Sequence, residues 1–366
     1  MLGKVGLVST FNVECGIATY SEHLVEHFSS DSVIIFANYL GTLSDTGSCK
    51  KLPVIRCWGR KSKHDELYTE IIDSGVEVVH FQHEFGLFQD HNSFLDLLKK
   101  LKKAQKKVII TFHTVFTEES QNKKIYEYAS VVDFIVVHHK NAVNSIPQVD
   151  NCVVIPHGSV KRKAVGRVEA RKHFDIPLDR FVCLTFGFVT PTKGAADNIN
   201  VVIELQKKYP NLMLIVAGFA VVHDNNVSNL EYAVNLFKQV KLVNKFDVVR
   251  ILFKYLSEEE FDLLAGVSDI AVENYYQTQH STSGMSHLVM SYGLPSISSR
   301  ANILADLEDE RSLKFDIGNK EQMSSQLERL MLDNRLRRKL SRSCLDYTKE
   351  VGWDKIARAH FDLLYY

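Results

Sequence analysis

A run of eight polar or small residues, QTQHSTSG, occupies positions 277–284. It follows a short apolar segment, DIAV, and precedes a helical pattern, HLVMSYG. Loops that lead from a strand into a helix are where open parallel sheets bind ligands. Hydroxyl groups and exposed N–H groups at such a helix start form a cradle for anions. We therefore predict that Ser283 and Gly284 bind phosphate and sugar groups.

Two other loops bring a glycine toward the start of a helix. Gly16 lies in STFNVECGIATYS, and Gly187 lies in FGFVTPTKGAAD together with Lys193. A glycine lets the backbone approach a ligand closely. A lysine at a helix N-terminus suits a diphosphate, because its charge and the helix dipole act together. The alternatives are an ordinary turn for Gly16 and a surface lysine for Lys193. We predict phosphate contacts for all three residues.

Histidines end two consecutive predicted strands. His83 and Glu84 lie in FQHEFGLF, and His113 lies in TFHTVF. A single histidine is more often structural than catalytic, but two at neighbouring strand ends favour a functional role. A zinc site is the weaker alternative, because no third ligand is suitably spaced. We predict His113 as a catalytic residue, and His83 and Glu84 as contacts to an acceptor or a sugar.

Short β-branched runs alternate with amphipathic helical patterns, and several runs are apolar throughout. This is typical of parallel sheets that are covered on both faces. The pattern restarts after a polar, basic stretch at 157–179. We predict an α/β fold of two doubly wound parallel-sheet domains, residues 1–160 and 161–350, that face each other across a cleft. The predicted strands are 4–9, 32–38, 76–82, 107–112, 133–137, 152–156, 180–187, 211–218, 248–253, 269–272 and 295–298.

The composition limits the class of protein. The 366 residues are 45% hydrophobic, and 44 basic residues balance 44 acidic ones, which argues against a general nucleic-acid-binding protein. Six cysteines without any C-x-x-C pair indicate free thiols in a reducing compartment. The N-terminal MLGKVGLVST reads as a strand and not as a signal peptide. We therefore predict a cytoplasmic protein.

The segment FLDLLKKLKKAQKK, residues 94–107, combines an apolar face with six lysines. Such a helix could lie on the inner face of an anionic membrane, which would suit a lipid-linked acceptor. Alternatively, the apolar stripe covers a sheet and the lysines are solvated. The second interpretation is favoured, because a sheet-covering helix needs the same stripe.

The order of the motifs resembles that of the family 4 glycosyltransferases, retaining enzymes of GT-B architecture. The resemblance covers nearly the whole length, and each motif is weak alone but the series is specific. It implies two Rossmann-like domains, with a terminal helix at 351–366 that packs back on the N-terminal domain. The motifs are CGIATYS, QHEFG, TFHT, IPHG, FGFVTPTKG, STSG, YGLPSIS and GWDKIA.

The resemblance also implies an activity and roles for residues. A hexose would pass from a nucleotide-sugar, UDP- or GDP-linked, to a glycan or lipid-linked acceptor with retention of configuration, without a metal or other cofactor. Gly16 would face the donor phosphates, and His113 would lie near the transferred sugar. Lys193 would neutralise the diphosphate leaving group. Ser283 and Gly284 would touch the phosphates and the sugar.

Four positions depart from the family pattern and indicate a divergent subgroup. Phe188 and Thr190 stand where relatives carry an arginine, and His280 and Leu288 stand where they carry two glutamates. A protonated His280 near phosphate is a candidate replacement for the missing positive charge. Leu288 cannot hold ribose hydroxyl groups.

Two alternatives stay open at the level of sequence. A glycoside phosphorylase of the same fold would use inorganic phosphate and would need no ribose contact. A non-catalytic sugar- or nucleotide-binding relative would tolerate the missing glutamates, although the retained Lys193 and His113 disfavour it. A nicotinamide-dependent oxidoreductase is disfavoured because the chain lacks GxGxxG.

Overall fold

The computed structural model describes residues 4–29, 32–40, 52–220, 228–277 and 279–365, with only the backbone of His280. The chain divides into two compact units. The first unit comprises Met1–Gly158, Gln279–Gly284 and Val351–Tyr366. The second comprises Ser159–Thr278 and Met285–Glu350.

Parallel strands and helices alternate along the chain, as the sequence predicts. The strands are β1 Val5–Ser9, β2 Val33–Asn38, β3 Val54–Trp58, β4 Val78–His83, β5 Lys107–Phe112, β6 Thr114–Val115, β7 Phe134–Val137, β8 Cys152–Val154, β9 Phe181–Phe186, β10 Leu212–Gly218, β11 Val249–Phe253, β12 Ile270–Glu273, β13 His280–Ser281, β14 Ser296–Ser299 and β15 Ser312–Phe315. The helices are α1 Gly16–Val25, α2 Asp65–Asp73, α3 His91–Lys103, α4 Lys123–Ala129, α5 Lys140–Asn144, α6 Arg167–His173, α7 Ala195–Gln206, α8 Ser228–Leu242, α9 Glu258–Val267, α10 Gly284–Ser291, α11 Lys320–Leu332, α12 Asn334–Glu350 and α13 Trp353–Tyr365.

The first unit is built on a parallel sheet of seven strands in the order β3-β2-β1-β4-β5-β7-β8. Strands β1 and β4 are buried along their whole length, although β4 alternates apolar residues with His80, Gln82 and His83. The helix α13 belongs to this unit. The hydroxyl of Tyr20 on α1 lies 2.9 Å from Nε2 of His360 on α13. A Cβ atom on Gly158 would lie 2.3 Å from the Trp353 ring, so this ring packs directly on the glycine backbone.

The apolar stripe of α3 is internal to the first unit. Phe94, Leu97, Leu98 and Leu101 are buried in its core. Four of the six lysines contact other parts of the unit, namely Lys100 with Asp65, Lys102 with Asp133, Lys106 with the Val76 carbonyl and Lys107 with the Leu363 carbonyl. The sheet-covering interpretation is therefore confirmed. The structure does not support membrane contact through the apolar face of 94–107, because that face is already packed.

The second unit is built on a parallel sheet of six strands in the order β11-β10-β9-β12-β14-β15. Its core combines residues from the strands with the apolar faces of α7, α8 and α11. A capping box of Ser257 and Glu260 fixes the start of α9, since each side chain satisfies a backbone N–H group of the other. Within the described ranges, no helix combines the length and hydropathy that crossing a membrane requires.

Candidate functional sites in the two units

Residues 279–284 of the polar run belong to the first unit, where a short antiparallel ribbon holds them. Strand β13 pairs with β6, with His280 opposite Val115 and Ser281 opposite Thr114. The ribbon starts directly after His113, so it places this part of the polar run beside that histidine. Sequence analysis did not detect this pairing, because two-residue strands carry no periodic pattern.

His113 takes part in a row of polar rings in the first unit. Its Nε2 atom lies 2.9 Å from Oε1 of Gln82, and its Nδ1 atom lies 3.3 Å from Nε2 of His138. The Tyr20 ring stands edge-on to the imidazole, with centroids 4.9 Å apart. Desolvation holds the pKa of His113 well below its ordinary value, and neighbouring histidines lower it further. A neutral His113 is therefore a hydrogen-bonding group at neutral pH and not a fixed positive charge.

Ser283 and Gly284 lie near the same row. Ser283 is buried, and α10 begins at Gly284. A Cβ atom on Gly284 would lie 3.7 Å from Nε2 of His157, whose ring centroid is 5.2 Å from that of Tyr20. The first unit thus brings the predicted residues His113, Ser283 and Gly284 around Tyr20 and His157. Sequence analysis missed Tyr20, His138 and His157.

Gly16 opens α1, as predicted. A Cβ atom there would meet nothing within 4 Å, so packing does not require a glycine at this position. Its N-cap residue, Cys15, makes no side-chain capping hydrogen bond. The first-turn N–H groups of a helix lack partners within the helix. The structure is therefore compatible with a ligand at the start of α1.

His83 does not lie where the sequence suggests. Its side chain is fully buried, and neither ring nitrogen has a hydrogen-bond partner among the described residues. Five aromatic rings surround it, with centroids 4.8 to 5.6 Å away: Phe85, Phe88, Phe94, Phe112 and Tyr128. The prediction that His83 contacts an acceptor or a sugar is corrected accordingly, because His83 is the final residue of β4 and points into the aromatic core.

Glu84 is partly buried beside this core. Burial raises the pKa of its carboxyl group, while the Thr114 hydroxyl and the backbone N–H groups of Phe85 and Gly86 hydrogen-bond to it and act in the opposite direction. The side chain is therefore anchored at the base of β6. It stays a candidate contact to a sugar.

An open pocket lies at the carboxyl ends of β9 and β12 in the second unit. It is lined by Gly187, Lys193, Glu273, Tyr275 and Met285, among others. The carboxyl ends of parallel strands are where ligands bind in doubly wound sheets. The pocket therefore contains two predicted site residues, Gly187 and Lys193, and three that sequence analysis did not single out.

Lys193 is positioned by its local backbone and by one aromatic residue. It ends a 3-10 turn, Pro191–Lys193, and Gly194 in the left-handed conformation (φ 59°) leads into α7. Its Nζ atom donates to the Tyr275 hydroxyl at 2.7 Å and lies 4.0 Å from the centre of that ring. The ammonium group is thus held beside the pocket.

Gly187 meets two steric demands. Its φ of 111° is unfavourable for other residues, and a Cβ atom there would lie 3.1 Å from the Met285 side chain. A Cβ atom on Gly218 would lie only 1.7 Å from the Gly187 carbonyl oxygen. The two glycines therefore allow β9 and β10 to end in close contact at the pocket wall.

Glu273 is the unexpected acidic residue of this pocket. Only 4% of its surface is exposed, and Oε2 accepts a hydrogen bond from the Ser286 hydroxyl. The other oxygen, Oε1, has no hydrogen-bond partner among the described residues. Burial raises the pKa of Glu273 to about 7, although Ser286, Lys314 and Lys193 act to lower it. An acidic residue that directly follows the apolar run DIAV was the only sequence signal for this site.

Replacing Glu273 by glutamine is expected to stabilise the protein above neutral pH. Because the folded-state pKa is raised, the protonated form stabilises the fold at low pH, and this stabilisation is lost as the pH rises toward 7. Glutamine mimics the neutral form, so the gain should grow from near zero at about pH 4.5 to about 3 kcal/mol at pH 8. Urea unfolding over this pH range measures it. The exposed Glu350→Gln is the matched control, and a pH-independent difference would contradict the expectation.

The side chain of the predicted catalytic residue His280 lies outside the described part of the chain. Across the described ranges, no group of three or more His, Cys, Asp or Glu side chains could hold a metal ion. The described cysteines, Cys15, Cys57, Cys152, Cys183 and Cys344, are free thiols.

Solved structures with a similar architecture include a glycosyltransferase and a sucrose-phosphate synthase. No family model and no curated protein matches the sequence. Over 99% of both chains, the structure matches Anabaena Alr3699/HepE in complex with UDP, with a TM-score of 0.80 and 11% identity. It also matches a glycosyltransferase from Rickettsia africae ESF-5 (TM-score 0.75, 13% identity) and sucrose-phosphate synthase from Thermosynechococcus elongatus (0.75, 14%), each over 99% of this chain and 98% of the other. The predicted fold class is therefore confirmed: the chain has the GT-B fold, with two Rossmann-like parallel-sheet domains.

Proposed function

We propose that this protein is a glycosyltransferase that moves a hexose from a nucleotide-sugar to a glycan or lipid-linked acceptor with retention of configuration. The observation that carries the proposal is the pocket of the second unit, where Lys193 and Gly187 lie at the carboxyl ends of parallel strands. Solved structures of the similar HepE contain UDP, UDP with glucose, and UDP-glucose, which supports this class of ligand.

In the proposed reaction, the second unit stabilises the leaving diphosphate. The bond between the anomeric carbon and the phosphate oxygen breaks, and the acceptor oxygen bonds to the same face of that carbon. The departing phosphate oxygen takes the acceptor proton, so no separate base is required. Lys193 offsets the negative charge that develops, because a fixed ammonium group in a partly desolvated pocket needs little reorganisation. On this proposal the reaction needs no metal ion.

The first unit contributes neutral hydrogen-bonding groups to the proposed function. His113, kept neutral by burial, is suited to bind a sugar hydroxyl group through an imidazole nitrogen. Ser283 and the start of α10 at Gly284 offer a hydroxyl and backbone N–H groups to phosphate or sugar. The start of α1 at Gly16 offers backbone N–H groups in the same manner. His280 stays a proposed substitute for a missing positive charge.

Thermal unfolding in the presence of candidate ligands tests the proposal. UDP, GDP, ADP, their glucose conjugates and inorganic phosphate are compared at equal concentrations, since a ligand that binds only the folded state raises the apparent stability. We expect stabilisation by one nucleotide and its sugar conjugate, followed by acceptor-dependent release of that nucleotide. Stabilisation by none of these ligands would contradict the proposal and would favour a non-catalytic relative.

A glycoside phosphorylase is the second candidate, and Leu288 on α10 is the observation that favours it. An apolar side chain at this position provides no hydrogen bond for a ribose. In that case inorganic phosphate alone should stabilise the fold, and phosphate-dependent cleavage of a disaccharide should follow. Stabilisation by a nucleotide would argue against this candidate.

A further inference from the structure

Helix α8 in the second unit presents an apolar row to solvent on the side away from its packed face. Its inner residues Ala233, Leu236 and Val240 are buried in the core. Val234 and Phe237 are spaced three apart and are both about half exposed. Residues at this spacing are neighbours on one helix face. The helix therefore has apolar residues on two sides, only one of which the core covers.

Contacts with α7 fix which side of α8 faces outward. The Gln239 side-chain amide donates to Oδ1 of Asn200 at 2.7 Å and to the Ala196 carbonyl at 3.2 Å. The Ala196 N–H group donates to the Tyr232 hydroxyl at 3.2 Å. These contacts and the buried face prevent the helix from rotating to hide the exposed row.

The exposed row continues past the end of α8. Leu242, the final residue of the helix, is 86% exposed. Asn244 adopts a positive φ of 50°, and the turn places the Phe246 ring 5.1 Å from the Phe237 ring. Six of the seventeen exposed large apolar residues described in the structure fall between Leu230 and Phe246. Such a cluster of exposed apolar side chains is typical of an interaction surface.

Lysines predominate among the charges next to this row, although Glu231 precedes it and Asp247 follows it. The segment 234–246, VNLFKQVKLVNKF, contains three lysines and no acidic residue. Lys241 continues the row of Val234 and Phe237 at helical spacing, and Lys238 follows Phe237 directly, both with exposed side chains. We call the set Val234, Phe237, Lys238, Lys241, Leu242 and Phe246 the cationic apolar face.

We propose that the cationic apolar face binds the surface of an anionic membrane. Phenylalanine and aliphatic side chains enter the boundary between headgroups and acyl chains, and the lysine ammonium groups reach the lipid phosphates. Each lysine near an anionic bilayer contributes on the order of a fivefold gain in binding. The cationic apolar face is exposed, whereas the apolar stripe of α3 is packed inside the first unit. This inference does not depend on the proposed transferase activity.

Vesicle flotation of the full chain tests the proposal. We expect the protein to float with vesicles of equimolar phosphatidylcholine and phosphatidylserine, and at least about tenfold less with phosphatidylcholine alone. Phe237→Ser/Leu242→Ser should reduce flotation about tenfold or more. Lys238→Gln/Lys241→Gln should do the same, and because it alters only exposed charges it should leave folding intact.

The matched control changes two lysines of α3, Lys99→Gln/Lys103→Gln, and should float like the unchanged protein. Three results would overturn the proposal: no flotation of the unchanged protein, flotation that both α8 variants retain, or equal losses in the α3 control. A fourth such result would come from light scattering. A dimer that Phe237→Ser/Leu242→Ser abolishes would show that a second copy of the chain covers this face.

Discussion

Replacing Lys193 by glutamine is expected to reduce nucleotide-sugar turnover by about 10²- to 10³-fold, the typical effect of removing one preorganised electrostatic group. The lysine is the charged side chain that lines the second-unit pocket together with the buried Glu273, and Tyr275 holds its ammonium group at 2.7 Å. Glutamine keeps much of the length but lacks the charge that offsets the leaving diphosphate. Steady-state release of the nucleotide measures the effect.

Two further variants separate charge from position in this prediction. Tyr275→Phe keeps the ring under the ammonium group and removes only the hydroxyl, so it should cost about tenfold or less. Lys207→Gln, a highly exposed lysine just after α7, should leave turnover unchanged. If Lys193→Gln binds and turns over the nucleotide-sugar normally, the pocket is not the donor site, and the proposed role of Lys193 fails.

Acidification below about pH 6.5 is expected to destabilise the protein strongly through four buried histidines. Desolvation lowers the pKa of His80 and His83 to about 3, and it holds the pKa of His113 and His360 well below the ordinary value. These groups are neutral when folded and take up protons when unfolded. Their contribution is therefore present above pH 6.5 and is lost as the pH falls. At about pH 5.5 the loss is about 1.4 kcal/mol for each of His80 and His83, or about 3 kcal/mol for the pair, and His113 and His360 act in the same direction.

The His83→Leu variant isolates one of these groups. Its ring nitrogens have no partners among the described residues, so an apolar replacement should preserve the stability at pH 7 or raise it. The slope of the unfolding free energy against pH should fall by up to about 1.4 kcal/mol per pH unit below pH 6. Urea unfolding at a series of pH values measures this slope, and the exposed His27→Gln is the control. An unchanged slope in His83→Leu would contradict the burial argument.

The fold could be predicted because most of its strands appear in the sequence as recognisable apolar runs. Eleven apolar runs alternate with helical patterns, and each corresponds to a strand of a parallel sheet. The edge strand β3, VIRCW, escaped prediction because it is short and a basic residue interrupts it. Strand β15, SLKF, is short and half polar. Both lie at sheet edges, where burial on two faces is not required.

The two strand-end histidines carried the same sequence signal and have opposite environments. Side chains alternate between the faces of a strand. In β4, Phe81 and His83 face the aromatic core, whereas His80 and Gln82 face the polar row that includes His113. The sequence VHFQH contains this alternation, but it does not say which face is polar. That depends on α13 and α1, which bring His360 and Tyr20 to the other side.

The pocket residues were predictable only in part for a similar reason. Lys193 and Gly187 lie in one recognisable loop. Glu273 acquires its unusual pKa from burial and from its neighbours Ser286, Lys314 and Lys193, which lie on three different segments of the chain. No local sequence pattern indicates that these three segments meet at Glu273. The ribbon between β6 and β13 depends in the same manner on residues far apart in sequence.

The composition of the first unit from three separate segments has a consequence for the order of events during synthesis. Residues up to Gly158 leave the ribosome with their seven-stranded sheet, but without the Trp353 and His360 side chains that pack on Gly158 and Tyr20. Those residues follow roughly 190 positions later, which at roughly 5–20 residues per second is a delay of roughly 10–40 s. During that interval the nascent unit exposes the surface that α13 later covers. Chaperones and proteases would therefore meet an unfinished first unit while the chain of the second unit is still being synthesised.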